Sequence, residues 1–178
     1  MSTAMTPPLA ALIYPDERHD IEDLLEGVAR RLQQSGRQVG GLVHRQSRYA
    51  NGNKCMRLVD LRSGQQFEMT EDLGAASQAC SLNPQALARA GVVLRQALAD
   101  GVELAVVNCF GQLEAAGGGF VQEIAAFVEA GIPVVTAVAA RHEAGWQSFT
   151  GGAFVRLPVD EQALLHWCRQ QLQREDQG

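Results

Sequence analysis

The sequence lacks any long apolar stretch. No run comes near the roughly 18 residues that a transmembrane helix requires. The first 17 residues hold an apolar run of only about six residues and no preceding basic segment, so they do not resemble a secretory signal peptide. We therefore expect no membrane partner and a cytoplasmic location.

Cysteine is scarce and never clustered. The four cysteines, Cys55, Cys80, Cys109 and Cys168, lie far apart and form no CxxC pair. This spacing predicts neither a zinc knuckle nor a disulfide framework, and it is typical of a protein in a reducing compartment.

An excess of basic charge is also missing. The net charge is −5, and the fifteen basic residues are scattered along the chain. A protein that binds the phosphate backbone of nucleic acids needs a basic patch or stripe. Nucleic acid is therefore not an expected partner.

Recognisable catalytic motifs are absent as well. The chain contains no HExxH or GxSxG motif, no Ser-His-Asp order and no pair of carboxylates at catalytic spacing. The sequence therefore favours a protein that is not an enzyme.

The apolar residues that are present predict one α/β domain. With 178 residues, 46% of them apolar, the chain suffices for a single core, so we expect one domain over 1–178 with its core at about 9–172. Short apolar runs of the kind found in buried strands alternate with segments of helical periodicity. This alternation predicts a mostly parallel sheet flanked by helices, with strands at 9–14, 39–45, 103–108, 132–138 and 154–157 and helices from Asp20, Asn83, Phe120 and Asp160.

Residues 39–70 do not show the alternation of strands and helices that the rest of the chain shows. Turn signals at Asn51-Gly52 and Ser63-Gly64 separate short extended segments, which predicts a small antiparallel meander added to the main sheet. We expect long loops at 71–83, 109–119 and 139–152.

The loop between the first strand and the first helix, "PDERHD", is the first candidate ligand site. A phosphate-binding P-loop needs glycines and a lysine at this place, and here three acids, Asp16, Glu17 and Asp20, stand instead. Acids at a helix N-terminus satisfy the helix dipole and repel phosphate. Two readings stay open: an acid-rich helix start, or a ligand site that uses Arg18, His19 or Asp20.

The segment after the third buried strand is the second candidate. In P-loop NTPases a metal-organising aspartate closes this strand, often followed by a catalytic glutamate. Here Asn108 and Cys109 occupy those places. A neutral amide and a thiol replace the two acids, which indicates that metal binding and hydrolysis have been lost.

Several motifs together resemble two known families. The segments "GRQVGGLVHR", "LVDLRSGQ", "ELAVVNCFGQLEA" and "GIPVVTAV" are similar in order to the cancer-related nucleoside-triphosphatases. Their Asp-Glu-x-Gly-x-x-Glu pattern is matched here at Gly111 and Glu114 only, so the resemblance implies a degenerate P-loop NTPase-like fold without the catalytic acids.

A bacterial domain-of-unknown-function family, number 2478, resembles the chain more closely, from Leu9 to about Leu172. The shared motifs are a DxLL helix start, an LG…C-x-L-(D/N)-P segment and N-x-F-G-x-x-E-x-x-G-x-G. They are matched here by Asp23, Leu24, Leu25, Leu73, Gly74, Cys80, Leu82, Asn83, Pro84, Asn108, Phe110, Gly111, Glu114, Gly117 and Gly119. Genes of that family often lie beside molybdate transport genes, which implies a link to molybdenum handling. Lysines usual near Cys109 and Gln112 in the family are missing here.

The triple glycine Gly117-Gly118-Gly119 before a helix is the third candidate site. Such a run either turns several N–H groups toward one anion or is merely a flexible turn. Arg45 at a strand end, Cys80 in a long loop, and the pair Arg141 and His142 are weaker candidates. Trp146 and Phe149 either close over the sheet edge or line a pocket.

The resulting hypothesis is a non-catalytic P-loop-NTPase-like protein that binds a small anionic ligand or serves as an accessory factor in molybdenum metabolism. The ligand would be molybdate, a similar oxyanion or a nucleotide fragment, with no other cofactor and no metal. Its predicted ligand-binding residues are Asn108, Gly111, Glu114, Gly117, Gly118, Gly119, Arg45, Cys80 and Arg18. Molybdate transport or molybdenum-enzyme proteins are the implied partners, and a homodimer is left open. The alternatives are a protein-interaction module with a vestigial nucleotide site and a weak nucleoside-triphosphatase.

Overall fold

The computed structural model describes residues 7–17, 20–71, 81–108 and 110–177. Its centre is a seven-stranded sheet that contains β1 (Leu9–Tyr14), β2 (Val39–Arg48), β3 (Lys54–Asp60), β4 (Gln66–Glu68), β7 (Leu104–Val107), β8 (Val134–Ala139) and β9 (Val155–Leu157). The strand order is β4-β3-β2-β7-β8-β1-β9. The neighbouring strands β2-β7-β8-β1-β9 are all parallel to one another. The two pairs that involve β3, with β2 and with β4, are antiparallel. The predicted fold class, a mostly parallel sheet with an antiparallel addition, is confirmed.

The central strands are apolar on both faces because helices cover both. One layer contains α1 (Ile21–Gln34) and α6 (Glu161–Asp176), which pack against a cluster that includes Leu12, Val43 and Val106. The opposite layer contains α2 (Pro84–Ala99), α4 (Val121–Glu129) and α5 (Glu143–Thr150), around Leu94, Phe127 and Trp146. The helices α1, α2, α4 and α6 each bury the apolar stripe that they show in sequence.

Gly41 lets β2 approach β7 closely. Its φ is +134°, and a Cβ built there would lie 1.8 Å from the backbone oxygen of Val106. Only glycine tolerates that combination. Leu42 still pairs with Val107 of β7. On its other edge β2 pairs antiparallel with β3, from Leu42 opposite Asp60 to Arg48 opposite Lys54, so its last residues extend past β7.

The predicted meander is therefore an antiparallel extension of the main sheet, formed by the end of β2 with β3 and β4, which we call the arm. Its first turn is closed by hydrogen bonds from the Tyr49 N–H to the Asn53 carbonyl and from the Gly52 N–H to the Tyr49 carbonyl. The arm makes β2 three residues longer than predicted, so the β2–β3 hairpin extends past the carboxyl edge of the parallel strands.

Three predicted loops contain regular structure that the sequence analysis missed. In the first, β5 (Thr70–Glu71) pairs with β6 (Ser81–Leu82), and residues 72–80 lie outside the described part of the chain. In the second, α3 (Gln112–Ala115) forms a single helical turn. In the third, Ala140–His142 is a 3₁₀ turn that leads into α5.

Candidate functional site

A cavity of about 390 Å³ lies at the carboxyl edge of the sheet. The end of β1, the start of α1, the β2–β3 hairpin and the segment after β8 enclose it. In open α/β folds, ligands bind at this edge. The cavity is lined by Tyr14, Asp16, Glu22, Asp23, His44, Arg45, Gln46, Lys54 and Arg141.

The arginines of this cavity are paired with its acids. Arg45 reaches across from β2 to α1, where it lies 2.5 Å from the Asp23 carboxylate and also contacts Glu26. Arg141 lies 3.1 Å from Asp16, which accepts a second hydrogen bond from the Arg141 backbone N–H at 3.4 Å. Opposite charges this close attract each other. The carboxylates of Asp16 and Asp23 are thereby compensated inside the protein.

The N-terminus of α1 opens at the same edge. Asp20 occupies the N-cap position, as predicted, but its side chain makes no capping hydrogen bond. The first N–H groups of a helix have no partner inside the helix and need another acceptor. Here no N-cap side chain supplies it.

Asn108 is buried directly after the carboxyl end of β7. Its residue is 3% exposed, and its N–H donates to the Leu42 carbonyl at 3.0 Å, which continues the pairing of β7 with β2. Side chains alternate along a strand, so Asn108 follows Leu104 and Val106 on the face covered by α1 and α6. Within the described residues, its Nδ2 has no hydrogen-bond partner. A buried amide donor of this kind costs free energy unless something accepts from it.

His44 contributes a neutral side chain to the cavity wall. Burial lowers the pKa of its imidazole to about 4, because removal from water penalises the charged form. His44 is therefore uncharged at neutral pH. Among the described lining residues, the permanent cations are Arg45, Arg141 and Lys54, which is the only lysine in the sequence.

The glycine-rich loop after β7 is closed around Glu114. This carboxylate is 8% exposed and accepts from the Gly111 N–H at 3.0 Å and from the Phe120 N–H at 3.3 Å. At Gly119, where φ is +57°, a Cβ would lie 2.1 Å from Glu114 Oε1. The loop thus wraps a carboxylate that belongs to the protein.

The other two glycines of the run donate within the loop. The Gly117 N–H bonds to the Glu114 carbonyl at 3.0 Å, and the Gly118 N–H bonds to the Leu113 carbonyl at 2.8 Å. These two N–H groups are occupied and do not point to a ligand. None of the described residues of this loop, 110–119, lines the cavity.

The predicted site residues therefore separate into two groups. Arg45 lines the cavity, and Asn108 lies on the same face of the sheet. Gly111, Glu114 and Gly117–Gly119 form the closed loop, whose neighbour Phe110 packs with Trp146 in the opposite layer. Arg18, His19, Cys80 and Cys109 lie outside the described residues, so their predicted roles stay predictions, as does ligand binding by the others.

The aromatic residues after β8 belong to the second group. Trp146 is fully buried against Phe110 and Phe154, and the ring of Phe149 stacks on Phe110. They cover the core instead of lining the cavity. The sequence reasoning missed Tyr14, Gln46 and Lys54 as cavity residues, because only the fold of the β2–β3 hairpin brings them together.

Two kinds of site are not found in the described part of the chain. No group of three or more His, Cys, Asp and Glu side chains is arranged to hold a metal ion. No helix among those residues is both long and apolar enough to cross a membrane.

Comparison with known proteins gives three consistent matches. A family model described as Protein of unknown function (DUF2478) matches residues 9–167. The Molybdenum import ATP-binding protein ModC 2 of Bradyrhizobium diazoefficiens is 36% identical over 162 residues, which cover 90% of this chain but only 18% of that protein. The chain thus spans less than a fifth of the length of this relative.

A solved structure, that of a human cancer-related nucleoside triphosphatase, has the same fold. Its TM-score is 0.61 at 14% identity, and the match covers 96% of this chain and 97% of that one. The architecture is therefore that of a P-loop NTPase-like protein, as the sequence motifs predicted. At this identity the likeness concerns the fold alone.

Proposed function

Because the chain belongs to the family described as Protein of unknown function (DUF2478), whose name states no activity, we propose a function from the cavity itself. The protein is a P-loop NTPase-like protein without catalytic activity that binds a small anionic ligand, an oxyanion such as molybdate, at the carboxyl edge of the sheet. Through that ligand it serves as an accessory factor in molybdenum metabolism.

The observation that carries this proposal is the unpartnered donor of Asn108. Within the described residues its Nδ2 has no acceptor and is buried on the α1 side of the sheet. The N-terminus of α1, which begins at the same carboxyl edge, has no side-chain cap. Helix N-terminal N–H groups and a neutral amide are donors that an oxyanion accepts from. Two independent features at one edge of the sheet therefore call for the same kind of ligand.

The acids of the cavity do not by themselves exclude an anion. An uncompensated carboxylate a few ångströms from an anion costs on the order of a few kcal/mol near a surface. Asp16 and Asp23 are each ion-paired with an arginine, so the pairs present little net charge. A ligand held under these conditions is bound by neutral N–H donors more than by charge.

The same edge does not favour hydrolysis of nucleoside triphosphates. Between Tyr14 and Ile21 there is neither a glycine nor a lysine to hold phosphates. Asn108 is an amide where a metal-organising carboxylate would be needed. The residues required for Mg²⁺ and for activation of water are thus replaced.

The link to molybdenum is supported by the relative from Bradyrhizobium. That protein is named as an ATP-binding protein of molybdenum import, and it contains a region similar to this chain within a much longer polypeptide. When a region similar to one protein is part of a longer import protein, the separate protein is expected to act together with an importer of the same kind. We propose that this chain acts beside a molybdate importer.

Isothermal titration calorimetry of the whole chain tests the proposal, with molybdate, tungstate, sulfate and ATP as ligands. We expect heat with at least one oxyanion and none with ATP. Asn108→Asp should weaken oxyanion binding at least about tenfold, because a carboxylate replaces the donor. Gln85→Glu, the matched control, makes the same change from amide to carboxylate on the exposed surface of α2 and should change affinity less than about twofold. Absence of heat with all four ligands would refute the proposal.

A second candidate is an interaction module with a vestigial site. The observation that favours it is that groups able to bind an anion already have partners inside the protein. Asp23 and Glu26 of α1 hold Arg45, and Glu114 accepts hydrogen bonds within the glycine-rich loop. This candidate predicts association with the ATP-binding subunit of a molybdate importer that does not depend on molybdate. Sedimentation velocity of the mixture, with and without molybdate, separates it from the first.

A further inference from the structure

The cavity is larger than the oxyanion that the proposed function requires. A tetrahedral oxyanion has four oxygens, each comparable with a water molecule of about 30 Å³, and so occupies roughly 120 Å³. The cavity measures about 390 Å³, which falls within the range of about 300–1,000 Å³ typical of small-molecule sites. About two thirds of it would remain unfilled by a bare oxyanion.

Two residues of the lining on β2 are suited to a polar uncharged group. His44 and Gln46 lie on β2, where the hairpin extends past the parallel strands. The imidazole of His44 is neutral because burial lowers its pKa. A neutral imidazole and an amide each offer both a donor and an acceptor. Such groups recognise hydroxyl, carbonyl or ring nitrogen atoms.

The charges of the lining limit how much negative charge the ligand can carry. The cations Arg45, Lys54 and Arg141 face the carboxylates Asp16, Glu22 and Asp23, so the lining is balanced in charge before a ligand enters. Glu26, which also contacts Arg45, adds one further negative charge beside it. One anionic group can be held by the neutral donors, whereas a chain of three phosphates would bring more negative charge than the cations of this lining, already paired with its acids, can neutralise.

We infer that the ligand of this cavity is a monoester of a tetrahedral oxyanion, with one anionic group at the start of α1 and a polar organic body along His44 and Gln46. This inference rests on the proposed function, since it keeps the anion at the same place. It differs from that proposal in the class of ligand. A bare inorganic ion then occupies only part of the site.

Calorimetric titrations of the whole chain with four phosphate compounds test the inference. The ligands are inorganic phosphate, glycerol 3-phosphate, adenosine 5′-monophosphate and ATP, at equal ionic strength. We expect at least one monoester to bind about tenfold or more tightly than inorganic phosphate, because additional hydrogen bonds form. ATP should bind more weakly than adenosine 5′-monophosphate, because its extra charges meet the acids of the lining.

Two neighbouring variants show where the organic body lies. Gln46→Ala should remove most of the advantage of the monoester and leave the affinity for inorganic phosphate within about twofold. The matched control is Ser47→Ala, at the next position of β2 and outside the cavity lining. It should change neither affinity.

The outcomes also distinguish this inference from the proposed function. Equal affinity for inorganic phosphate and both monoesters would overturn the inference and leave the oxyanion site intact. ATP binding more tightly than adenosine 5′-monophosphate would also overturn it, as would an unchanged monoester affinity in Gln46→Ala. Binding of none of the four phosphate compounds, together with no binding of molybdate, tungstate or sulfate, would refute both.

Discussion

The two loops that lead from strand to helix at the carboxyl edge use their N–H donors in opposite ways. After β7, the donors at the start of α3 and α4 are occupied by the carboxylate of Glu114. After β1, the start of α1 has no side-chain cap, and the nearby carboxylates are paired with arginines. The loop after β7 therefore has its N–H donors satisfied without a ligand, whereas the loop after β1 is surrounded by groups that suit one.

This comparison corrects an intuition about glycine. A run of three glycines is the most conspicuous anion-binding signal in the sequence, yet the run serves to fit the chain around an internal carboxylate. The loop without any glycine lies at the cavity. The following predictions test this difference, in order of decreasing effect.

The largest effect is expected from removal of the internal carboxylate. Glu114→Ala leaves the N–H groups of Gly111 and Phe120 without their acceptor, and each buried unsatisfied donor costs about 1–3 kcal/mol. We expect the free energy of unfolding, measured with urea, to fall by about 3 kcal/mol. Glu129→Ala, at the exposed end of α4, should change it by less than about 0.5 kcal/mol. A loss below about 1 kcal/mol at Glu114 would show that the loop does not depend on its carboxylate.

A pair of glycine substitutions tests how closely the same loop packs on Glu114. Gly119→Ala places a Cβ 2.1 Å from Glu114 Oε1, whereas Gly117→Ala, also at positive φ, meets nothing within 4 Å. We expect about 1 kcal/mol of backbone strain at Gly117 and about 2–3 kcal/mol at Gly119, where the clash is added. Thermal unfolding of the two variants measures the difference. Equal losses would argue against the packing of Gly119 on Glu114.

The pH dependence of stability should report the buried imidazole at the cavity. The pKa of His44 is about 4 in the folded protein and about 6.5 when unfolded. Between these values the unfolded chain binds the extra proton, so stability falls as pH decreases from about 6.5 toward 4. We expect His44→Gln to reduce the loss of unfolding free energy between about pH 7.5 and about pH 5 by about 2 kcal/mol.

The control for that measurement is His166→Gln on the exposed surface of α6. It should leave the difference between the two pH values as it is in the original protein. An identical pH profile for His44→Gln would mean that His44 keeps its ordinary protonation when folded.

The smallest change in stability is expected at Asn108. Asn108→Leu removes a buried donor that has no partner in the described residues, and such a replacement is close to neutral or stabilising. We expect the free energy of unfolding to change by less than about 1 kcal/mol while the calorimetric response to oxyanions disappears. A large loss of stability would indicate that Asn108 serves the core and not a ligand.

The fold was predictable where the sequence carries a strong local signal. The run Leu9–Tyr14 and the Asn83-Pro84 helix start gave a strand and a helix at the predicted positions, and the Asn83 side chain caps α2 through the N–H groups of Gln85 and Ala86. Such signals depend on neighbouring residues only, so they can be seen in one sequence.

The helix α5 was not predictable in this way. It has eight residues, and only Trp146 is buried, so no apolar stripe is visible. Gly145 argues against a helix by propensity. The structure explains it by packing, since a Cβ at Gly145 would lie 2.9 Å from Ala115 Cβ. The glycine permits a contact between α5 and α3 that no local pattern reveals.

The candidate site was predictable only in part for a related reason. Arg45 and Asn108 were found because each closes a predicted strand, and strand ends meet at one edge of a parallel sheet. In the structure Asn108 directly follows β7, whereas β2 continues past Arg45 to Arg48. The partners of Arg45 were missed, because Asp23 and Glu26 are distant in sequence and become neighbours only when α1 packs on β2. The internal role of Glu114 had one local clue, since it follows Gly111 at capping-box spacing.

Gly41 has a consequence for the width of the cavity. Its missing side chain lets β2 lie against Val106, and Arg45 stands further along the same strand. A methyl group at this point would collide with the Val106 carbonyl and disturb the pairing of β2 with β7. The course of β2 toward the cavity, and with it the position of Arg45, therefore depends on a side chain of one hydrogen atom.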